Sequence, residues 1–303
     1  MIEVVKAPPF ATVQDLGWRT GRAWGLPAGG SMDPLLLRAA NAAVGNDPGA
    51  AAIEWALGPG ALRFEREALA SVMHRAELRV NATAAAGARV LVPAGGTVEI
   101  VPRGADRFVY VAVRGGIAVP EVLGSRSTYL PGGFGGHEGR RLRTGDRLPM
   151  GDSARRTDFG VAIEVPVQDS AEDVVLRVTR GPQWELFDSP ARDALFSGRF
   201  TVAAASDRMG YRLSGPAIAP RQAATLPSEA ACPGSIQIPD DGQPIVLMPD
   251  GPTVGGYPKL AVVIAADLRL LAQRPPGRGV RFREVSLEAA RAALTAARPI
   301  PAP

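Results

Sequence analysis

Residues 68–113 read ALASVMHRAELRVNATAAAGARVLVPAGGTVEIVPRGADRFVYVAV, and this stretch decides the fold class. Short runs of apolar and β-branched residues recur in it, and Gly, Pro or Asn separates one run from the next. This spacing predicts several short antiparallel strands, which is typical of a barrel or a sandwich. The runs are Leu78–Val80, Val90–Pro93, Thr97–Val101 and Phe108–Val113.

On the N-terminal side, the sequence predicts one strand and one helix. Ile2–Ala7 starts with apolar, partly β-branched residues and stops at two prolines, which favours a strand. Asp33 is a suitable N-cap and Pro34 suits the first helical position, so Asp33–Gly45 is predicted to be helical. We therefore expect a β-rich N-terminal domain over residues 1–168, with one helix near 33–45.

On the C-terminal side, a second group of β-like runs begins after a polar linker at Gln168–Asp173. A faint sequence echo between the two halves agrees with two related β-rich parts. We expect a C-terminal domain over residues 173–298 that ends in a capped helix at Ser286–Arg298. The other predicted elements are a short strand in Arg155–Val167, strands at Val174–Thr179, Gly234–Ile238, Pro244–Pro249 and Leu260–Ile264, and a helical turn at Asp267–Gln273.

The composition limits the classes of function. The chain has 303 residues, of which 46% are hydrophobic and 21% charged, enough apolar material for folded cores. Its net charge of +4 comes from arginines scattered among acidic residues, and the lysines are Lys6 and Lys259. A nucleic-acid binder concentrates basic residues on one face, so we expect no nucleic-acid partner. The single cysteine, Cys232, excludes an internal disulfide, and His74 and His137 are too far apart in sequence to predict a metal site.

The N-terminus lacks the features of a signal peptide, since no basic region precedes a long apolar segment. The longest apolar stretch, around Leu260–Ala266, is too short to cross a bilayer. We expect a cytoplasmic protein with no membrane partner.

Two groups of residues in the first half are candidates for binding. Ser31 and the first turn of the predicted helix behind Asp33 could face an anion, although Asp33 is equally explained as a helix cap. Arg126 precedes a glycine-rich stretch that includes Gly132 and Gly133. That stretch could form an anion-binding nest or merely a surface hairpin, and the residues alone do not decide between them.

Two further groups lie in the second half. Asp207 and Arg208 are adjacent in a predicted turn, where an exposed ion pair contributes only about 0–1 kcal/mol. The richer group begins in the predicted strand at Gly234–Ile238 and continues after the apolar strand that ends at Asp250, and ligands commonly bind where such strands end. Its members are Gln237, Asp250, Thr253, Gly255, Gly256, Tyr257 and Lys259.

In this order, these groups resemble the allophanate hydrolase subunit 2 family, also called the biotin-dependent carboxyltransferase family, which includes a subunit of bacterial 5-oxoprolinases. The resemblance covers nearly the whole chain. The stretches that carry it are TVQDLG (12–17), GLPAGGSMD (25–33), LRAANAAVGN (37–46), GGIAVPEVLGSRST (115–128), GGFGGHEGRRLRTGDRLP (132–149), SDRMGYRLSGP (206–216) and GSIQIPDDGQPIVLMPD with GGYPK (234–259).

The resemblance implies a cyclophilin-like β-barrel architecture and work beside partner subunits, a subunit 1-type (B) protein and an A-type protein. The implied activity is the ATP-driven opening of 5-oxoproline to glutamate, with ATP and Mg²⁺ as cofactors. One alternative is transfer of a carboxyl group from carboxybiotin to urea or a similar amide, with biotin on another protein. A second alternative is a regulatory protein that antagonises a kinase inhibitor.

The resemblance also implies residue roles for a small-molecule substrate. Charge on phosphoryl and carbonyl oxygens is met by basic side chains and backbone N–H groups, and carboxylates hold magnesium or orient water. The expected roles are catalytic for Asp207, Arg208, Asp250 and Lys259, substrate-binding for Gln237, Thr253, Tyr257, Ser31 and Arg126, and nucleotide-binding for Gly132, Gly133, Gly255 and Gly256.

The chain departs from the family pattern after the early strands, where Val72-Met-His-Arg75 stands in place of a Thr-Gly segment, and at two further places. Trp18-Arg19-Thr20 stands where Arg-x-Gly is usual, and Pro252-Thr253-Val254 stands where Gln-Thr-Thr is usual. The departure at Pro252-Thr253-Val254 removes polar donors from the richest group of candidate residues.

Overall fold

The computed structural model describes residues 1–85, 87–104, 107–152, 172–221 and 226–297. These residues form two compact units. The first contains residues 1–18 and 29–152, and the second contains residues 19–28 and 172–297. The strand predicted in Arg155–Val167 and most of the linker predicted at Gln168–Asp173 lie outside the described residues, so the predicted domain boundary stays a prediction.

The described strands of the first unit form two antiparallel sheets. One sheet has the strand order β11-β1-β4-β9-β6-β7, and the other has the order β2-β3-β10-β5-β8. The strands predicted from residues 68–113 and from Ile2–Ala7 are all confirmed. The strands are β1 (Ile2–Lys6), β2 (Phe10–Gln14), β3 (Ala52–Ala56), β4 (Gly60–Phe64), β5 (Ala68–Met73), β6 (Ala76–Val80), β7 (Thr83–Ala85), β8 (Arg89–Val92), β9 (Thr97–Pro102), β10 (Phe108–Val113) and β11 (Arg147–Leu148).

Strand β10 is buried along its whole length because both of its faces are covered. Val109 and Val111 lie in the hydrophobic core, together with residues of the other sheet such as Ile2 and Phe64. The predicted helix, α1 (Pro34–Ala43), packs against β10 and β5. Its cap is confirmed, since the Asp33 side chain accepts a hydrogen bond from the Leu36 amide at 3.2 Å.

The second unit contains a closed barrel of seven described strands in the order β12-β19-β16-β17-β14-β13-β20. The barrel closes where β12 pairs in parallel with β20. Strands β15 and β18 form a separate two-stranded ribbon. The expected mainly β fold with a barrel is therefore confirmed. The strands are β12 (Val174–Arg180), β13 (Phe200–Val202), β14 (Gly210–Ser214), β15 (Glu229–Ala230), β16 (Ser235–Gln237), β17 (Ile245–Leu247), β18 (Val254–Gly255), β19 (Lys259–Val263) and β20 (Gly279–Glu284).

Alternating apolar residues explain why β12 can line the barrel. Val174, Leu176 and Val178 are fully buried, while Val175 between them is exposed. Because side chains of a strand alternate between two faces, one face of β12 supplies the interior.

The described helices of the second unit lie between or after the barrel strands along the sequence. The expected turn at Asp267–Gln273 is part of a helix of eight residues, α3. The predicted cap of the last helix is confirmed by a 3.2 Å hydrogen bond from the Ala289 amide to Ser286 Oγ. In the described part of the chain, no helix is both long and apolar enough to cross a membrane. The helices are α2 (Ser189–Ser197), α3 (Ala265–Ala272) and α4 (Leu287–Ala296), with 3-10 turns at Arg22–Trp24 and Trp184–Leu186.

Candidate functional site

Lys259 is a buried lysine at the start of β19 in the second unit. Only 2% of the residue is exposed. Its Nζ lies 2.5 Å from Glu229 Oε1, but it makes no hydrogen bond of favourable geometry to any described residue. Lysines are almost never fully buried, and buried polar groups are nearly always hydrogen-bonded. The ammonium of Lys259 therefore has donor capacity that the described protein groups do not use.

Gln183 holds both members of this ion pair. Its Oε1 accepts a hydrogen bond from the Lys259 amide at 3.0 Å, and its Nε2 donates to Glu229 Oε1 at 2.5 Å. The contact with Lys259 lowers the pKa of the Glu229 carboxyl below its usual value of 4.5, with Gln183 adding to the effect against a smaller opposing effect of burial. Glu229 is thus a carboxylate at neutral pH.

Gln237 is brought beside Lys259 by the barrel. The two residues are cross-strand partners in β16 and β19, next to a register shift at Ile236 and Gln237. A Cβ at Gly255 would lie 2.6 Å from Gln237 Nε2, so a side chain there would displace the Gln237 amide from its position. The absence of a side chain at Gly255 therefore leaves room for the Gln237 amide.

We call Lys259, Glu229, Gln183 and Gln237 the lysine cluster. It combines a buried cation, a carboxylate that offsets part of its charge, and two amides. Such an arrangement can stabilise negative charge that develops on a substrate oxygen, because preorganised donors act strongly where water is excluded. Of the residues predicted from sequence, the structure brings Lys259, Gln237 and Gly255 together here.

Arg22 is a further cationic hydrogen-bond donor of the second unit, outside the lysine cluster. It lies in a 3-10 turn flanked by Gly21 and Gly25, both with left-handed backbone conformations. Its Nη2 donates to the carbonyl oxygen of Ala231, whereas its Nη1 is buried without a hydrogen-bond partner among the described residues.

Thr253 and Tyr257 lie on the same segment as the ribbon strand β18. Thr253 is 9% exposed, and its carbonyl oxygen accepts a 2.9 Å hydrogen bond from the Ala231 amide. Tyr257 is 46% exposed. Their substrate-binding roles, and the nucleotide-binding roles of Gly255 and Gly256, stay predictions.

Arg208 and Asp250 form a buried pair instead of the local pair that the Asp207-Arg208 sequence suggests. Arg208 donates from Nε and Nη2 to the two carboxylate oxygens of Asp250, each at 2.8 Å. The side chains are 6% and 1% exposed. Asp207 accepts hydrogen bonds from the amides of Met209 and Gly210, as a turn former does. These contacts describe structural roles, and the catalytic roles of the three residues stay predictions.

In the first unit, Asp15 organises the loop that carries Arg126. The Asp15 carboxylate accepts hydrogen bonds from Ser125 Oγ, Ser127 Oγ and the Arg126 amide, each at 2.6 Å. The Arg126 side chain pairs with Glu121 and donates to the Val119 carbonyl, so local contacts occupy it. Ser31 is 3% exposed, and its Oγ has no hydrogen-bond partner in the described part of the chain.

The glycine-rich stretch of the first unit borders a cavity of about 550 Å³. Gly133 and His137 line it, and His137 Nε2 lies 3.5 Å from Asp146 Oδ1. Gly132 has a packing role, since a Cβ there would lie 2.6 Å from the Tyr129 ring. The structure thus supplies a cleft for His137 that the sequence did not indicate, while nucleotide binding by Gly132 and Gly133 stays a prediction.

Across the described ranges, no group of three or more His, Cys, Asp or Glu residues is arranged to hold a metal ion. Two of the carboxylates of the second unit, Asp250 and Glu229, are each engaged with a basic side chain. Because Mg²⁺ is usually bound by one or two carboxylates together with substrate phosphates, the expected Mg²⁺ stays a prediction.

Sequence reasoning missed Gln183, Glu229 and Arg22. None of them belongs to a motif with a recognisable mechanism, and each comes from a segment distant in sequence from Lys259. The antiparallel pairing of β12 with β19 places Gln183, which comes just after β12, beside β19. For Gln183 and Glu229, only the pairing of strands could have identified them, whereas Arg22 is recognised only by its contact with Ala231.

Comparison with known proteins gives relatives over the whole length of the chain. The C subunit of the 5-oxoprolinase of Escherichia coli K12 is 39% identical over 96% of this chain and 93% of its own length. The corresponding protein of Haemophilus influenzae, which has the same name, is 36% identical over 96% of this chain and 93% of its own length. The crystal structure of the Kluyveromyces lactis urea carboxylase matches with a TM-score of 0.90 and 28% identity, over 98% of this chain and 29% of that protein.

A family profile decides membership. The profile described as "Carboxyltransferase domain, subdomain A and B" matches residues 24–284, which contain both the Arg208–Asp250 pair and the lysine cluster. The resemblance seen in the sequence motifs is thereby confirmed. This chain belongs to the carboxyltransferase-domain family with subdomains A and B.

Proposed function

We propose that the chain is a subunit of an ATP-dependent 5-oxoprolinase, a complex that opens 5-oxoproline to L-glutamate. The observation that carries the proposal is the 39% identity to the C subunit of a 5-oxoprolinase, with nearly all of both chains covered. Coverage of this kind leaves no large part of the relative without a counterpart here. The lysine cluster supports the proposal because it provides unused donors in the barrel unit.

The reaction needs an activated carbonyl, because an unstrained five-membered lactam resists attack by water. Transfer of the γ-phosphoryl group of ATP to the lactam oxygen supplies that activation and releases ADP. Water then adds to the carbonyl carbon, and the C–N bond breaks as the ring nitrogen takes a proton. A second water cleaves the resulting acyl phosphate to the carboxylate of glutamate and inorganic phosphate. Lys259 would stabilise the negative charge on the lactam or phosphoryl oxygen. Gln237, with one donor and one acceptor group, would bind the lactam N–H and C=O.

The partner subunits are an A-type protein and a subunit 1-type (B) protein. The relatives are named as subunits, which supports a complex. Mg²⁺ would accompany the nucleotide phosphates. The residues proposed for the nucleotide are Gly132, Gly133, Gly255 and Gly256.

The test is ATP-dependent release of glutamate from 5-oxoproline by this chain co-expressed with the A-type and B-type subunits. We expect activity only when all three are present. Lys259→Met should lower kcat by about 10²–10³-fold, the usual loss for a single oxyanion donor. Lys6→Met, which changes an exposed lysine in β1, is the matched control and should keep full activity. A complete complex without turnover would contradict the proposal.

Carboxyl transfer is the second candidate, favoured by the TM-score of 0.90 to a urea carboxylase. The same complex, supplied with carboxybiotin and urea, would then transfer the carboxyl group from biotin to urea. It would leave 5-oxoproline intact. A regulatory binding protein, the third expectation, would turn over neither substrate.

A further inference from the structure

Three cationic side chains of the second unit have a buried donor without a hydrogen-bond partner among the described residues, at Lys259 Nζ, Arg22 Nη1 and Arg192 Nε. An unsatisfied buried donor costs about 1–3 kcal/mol, and more when it is charged. The guanidinium of Arg192 is engaged locally, since its Nη2 donates to the Trp184 carbonyl and to Glu185. Lys259 and Arg22 differ from it because both contact the segment at residues 229–231, so one acceptor from outside the chain could satisfy both.

The contacts of the two cations lead to one short segment of the chain. Lys259 pairs with Glu229, and Arg22 donates to the carbonyl oxygen of Ala231. Residues 229 and 231 are two positions apart in an extended segment, so their Cα atoms are roughly 7 Å apart. Both pair with the segment 253–255, which holds this arrangement in register.

The charges favour a monoanion as the ligand. Lys259 and Arg22 contribute two positive charges, and Glu229 contributes one negative charge, which leaves one positive charge unbalanced. A guanidinium is planar and matches a carboxylate through two parallel hydrogen bonds. A carboxylate fits this balance better than the doubly charged phosphate of a nucleotide.

The flanking glycines explain how Arg22 is presented. Gly21 has a φ of 101° and Gly25 a φ of 83°, values that residues with a side chain rarely adopt. Amides of Trp24 and Leu26 both donate to the Gly21 carbonyl, at 2.9 and 3.1 Å, which makes the turn compact. The side chain of Arg22 therefore extends from a fixed backbone and loses little freedom when it binds a ligand.

We propose that Arg22 binds the carboxylate of the substrate and so determines specificity for a lactam that carries a carboxylate over a neutral amide. The inference rests on the proposed function and deepens it. In this arrangement Lys259 and Gln237 face the lactam ring, and Arg22 faces the acid group beside it. A site built to pair with a charged group discriminates strongly against an analogue that lacks this group, because its own polar groups are then left unpaired.

The test compares binding of L-5-oxoproline and its carboxamide, L-5-oxoprolinamide, to the assembled complex by isothermal titration calorimetry. We expect the unmodified complex to bind the acid at least tenfold more tightly than the amide. Arg22→Gln should weaken binding of the acid by 10- to 100-fold and change binding of the amide less than twofold. Arg22→Lys keeps the positive charge but not the planar guanidinium, so its affinity for the acid should lie between those of the unmodified complex and the Arg22→Gln complex.

Arg19→Gln is the matched control, since Arg19 is an exposed arginine of the same segment. It should bind both compounds as the unmodified complex does. Equal losses for acid and amide in a folded Arg22→Gln complex, no loss for either, or tighter binding of inorganic phosphate than of the acid would overturn the inference. A complex that binds the acid through Arg22 but releases no glutamate would contradict the proposed function and leave the anion site in place.

Discussion

Glu229 Oε1 lies 2.5 Å from Lys259 Nζ, so the buried ammonium of the barrel unit faces a carboxylate on the β15–β18 ribbon. The Glu229 side chain is 40% exposed, whereas the Lys259 side chain is 2% exposed. The ion pair therefore connects the interior of the unit to its surface. Its carboxylate offsets the charge of Lys259.

This pair makes stability depend on pH through Glu229. Because the contact with Lys259 lowers the pKa of Glu229, the pair stabilises the folded protein above the ordinary carboxyl pKa of 4.5. That contribution is lost as the pH falls through the lowered pKa of the folded state. Glu229→Gln should therefore lower Tm at pH 7, and its Tm should converge with that of the unmodified chain as the pH falls from 4.5 to 3.

Differential scanning fluorimetry between pH 3 and pH 8 measures this difference in Tm. Glu185→Gln is the control, since Glu185 pairs with Arg192 but its side chain is 85% exposed. The difference in Tm between Glu185→Gln and the unmodified chain should be the same at every pH. A constant gap in Tm between Glu229→Gln and the unmodified chain at every pH would show that the charge of Glu229 is not responsible.

Loss of one partner of the Arg208–Asp250 pair should destabilise the protein strongly, because the other charge then stays buried and unpaired. Asp250→Ala leaves the guanidinium of Arg208 buried without its carboxylate, which costs about 3–5 kcal/mol in the free energy of unfolding. The double variant Arg208→Met, Asp250→Leu removes both charges and should recover most of that loss, because apolar groups can replace a buried ion pair. Urea denaturation measures both variants, and a double variant as unstable as the single one would contradict this account.

Most of the fold could be predicted from local patterns, and the residues 68–113 show why. The four predicted strands there are short apolar runs with Gly, Pro or Asn nearby, so their type is visible in the sequence. Strand β5 was not predicted, since it is separated from β6 only by His74 and Arg75. Helix α1 is equally visible because Asp33 and Pro34 mark its start. Helix α2 was missed although Asp188 caps it in the same way, because few apolar residues repeat along it.

The candidate site could be predicted only in part. Lys259 was found because it lies in a polar segment after an apolar strand, and Gln237 because it ends the preceding strand. Gln183 and Glu229 were missed because their importance comes from β12 pairing with β19 and β15 pairing with β18. Such pairings join residues tens of positions apart, and no local pattern encodes them. The pairing of Arg208 with Asp250 was missed for the same reason.

Asp15 should control the order of the loop at residues 124–128 in the first unit. Its carboxylate accepts hydrogen bonds from Ser125, Ser127 and the Arg126 amide. Asp15→Ala leaves these donors unpaired and should cost about 3 kcal/mol, since bonds to charged groups are the stronger ones. Hydrogen exchange at residues 124–128 should rise by more than tenfold.

Ser125→Ala is the milder control for the Asp15 variant, because it removes one donor of the set. It should cost about 1 kcal/mol and change the exchange of the loop only slightly. If Asp15→Ala left exchange in this loop unchanged, contacts other than the Asp15 carboxylate would have to hold it.

Gly255 should control activity without controlling stability. A Cβ at this position would lie 2.6 Å from Gln237 Nε2, the far end of a side chain that can rotate away. Gly255→Ala should therefore displace the amide of Gln237. Because the hydrogen bonds to the substrate are then misplaced, kcat/KM for 5-oxoproline should fall by about tenfold or more. The value of Tm should shift by no more than a few degrees. Gly49→Ala is the control, because Gly49 has no proposed role and its Cβ would meet only the end of the flexible Leu16 side chain, at 3.2 Å. It should keep both activity and Tm. Equal losses of activity in the two variants would indicate a general effect of replacing glycine, and full activity in Gly255→Ala would remove Gln237 from the substrate site.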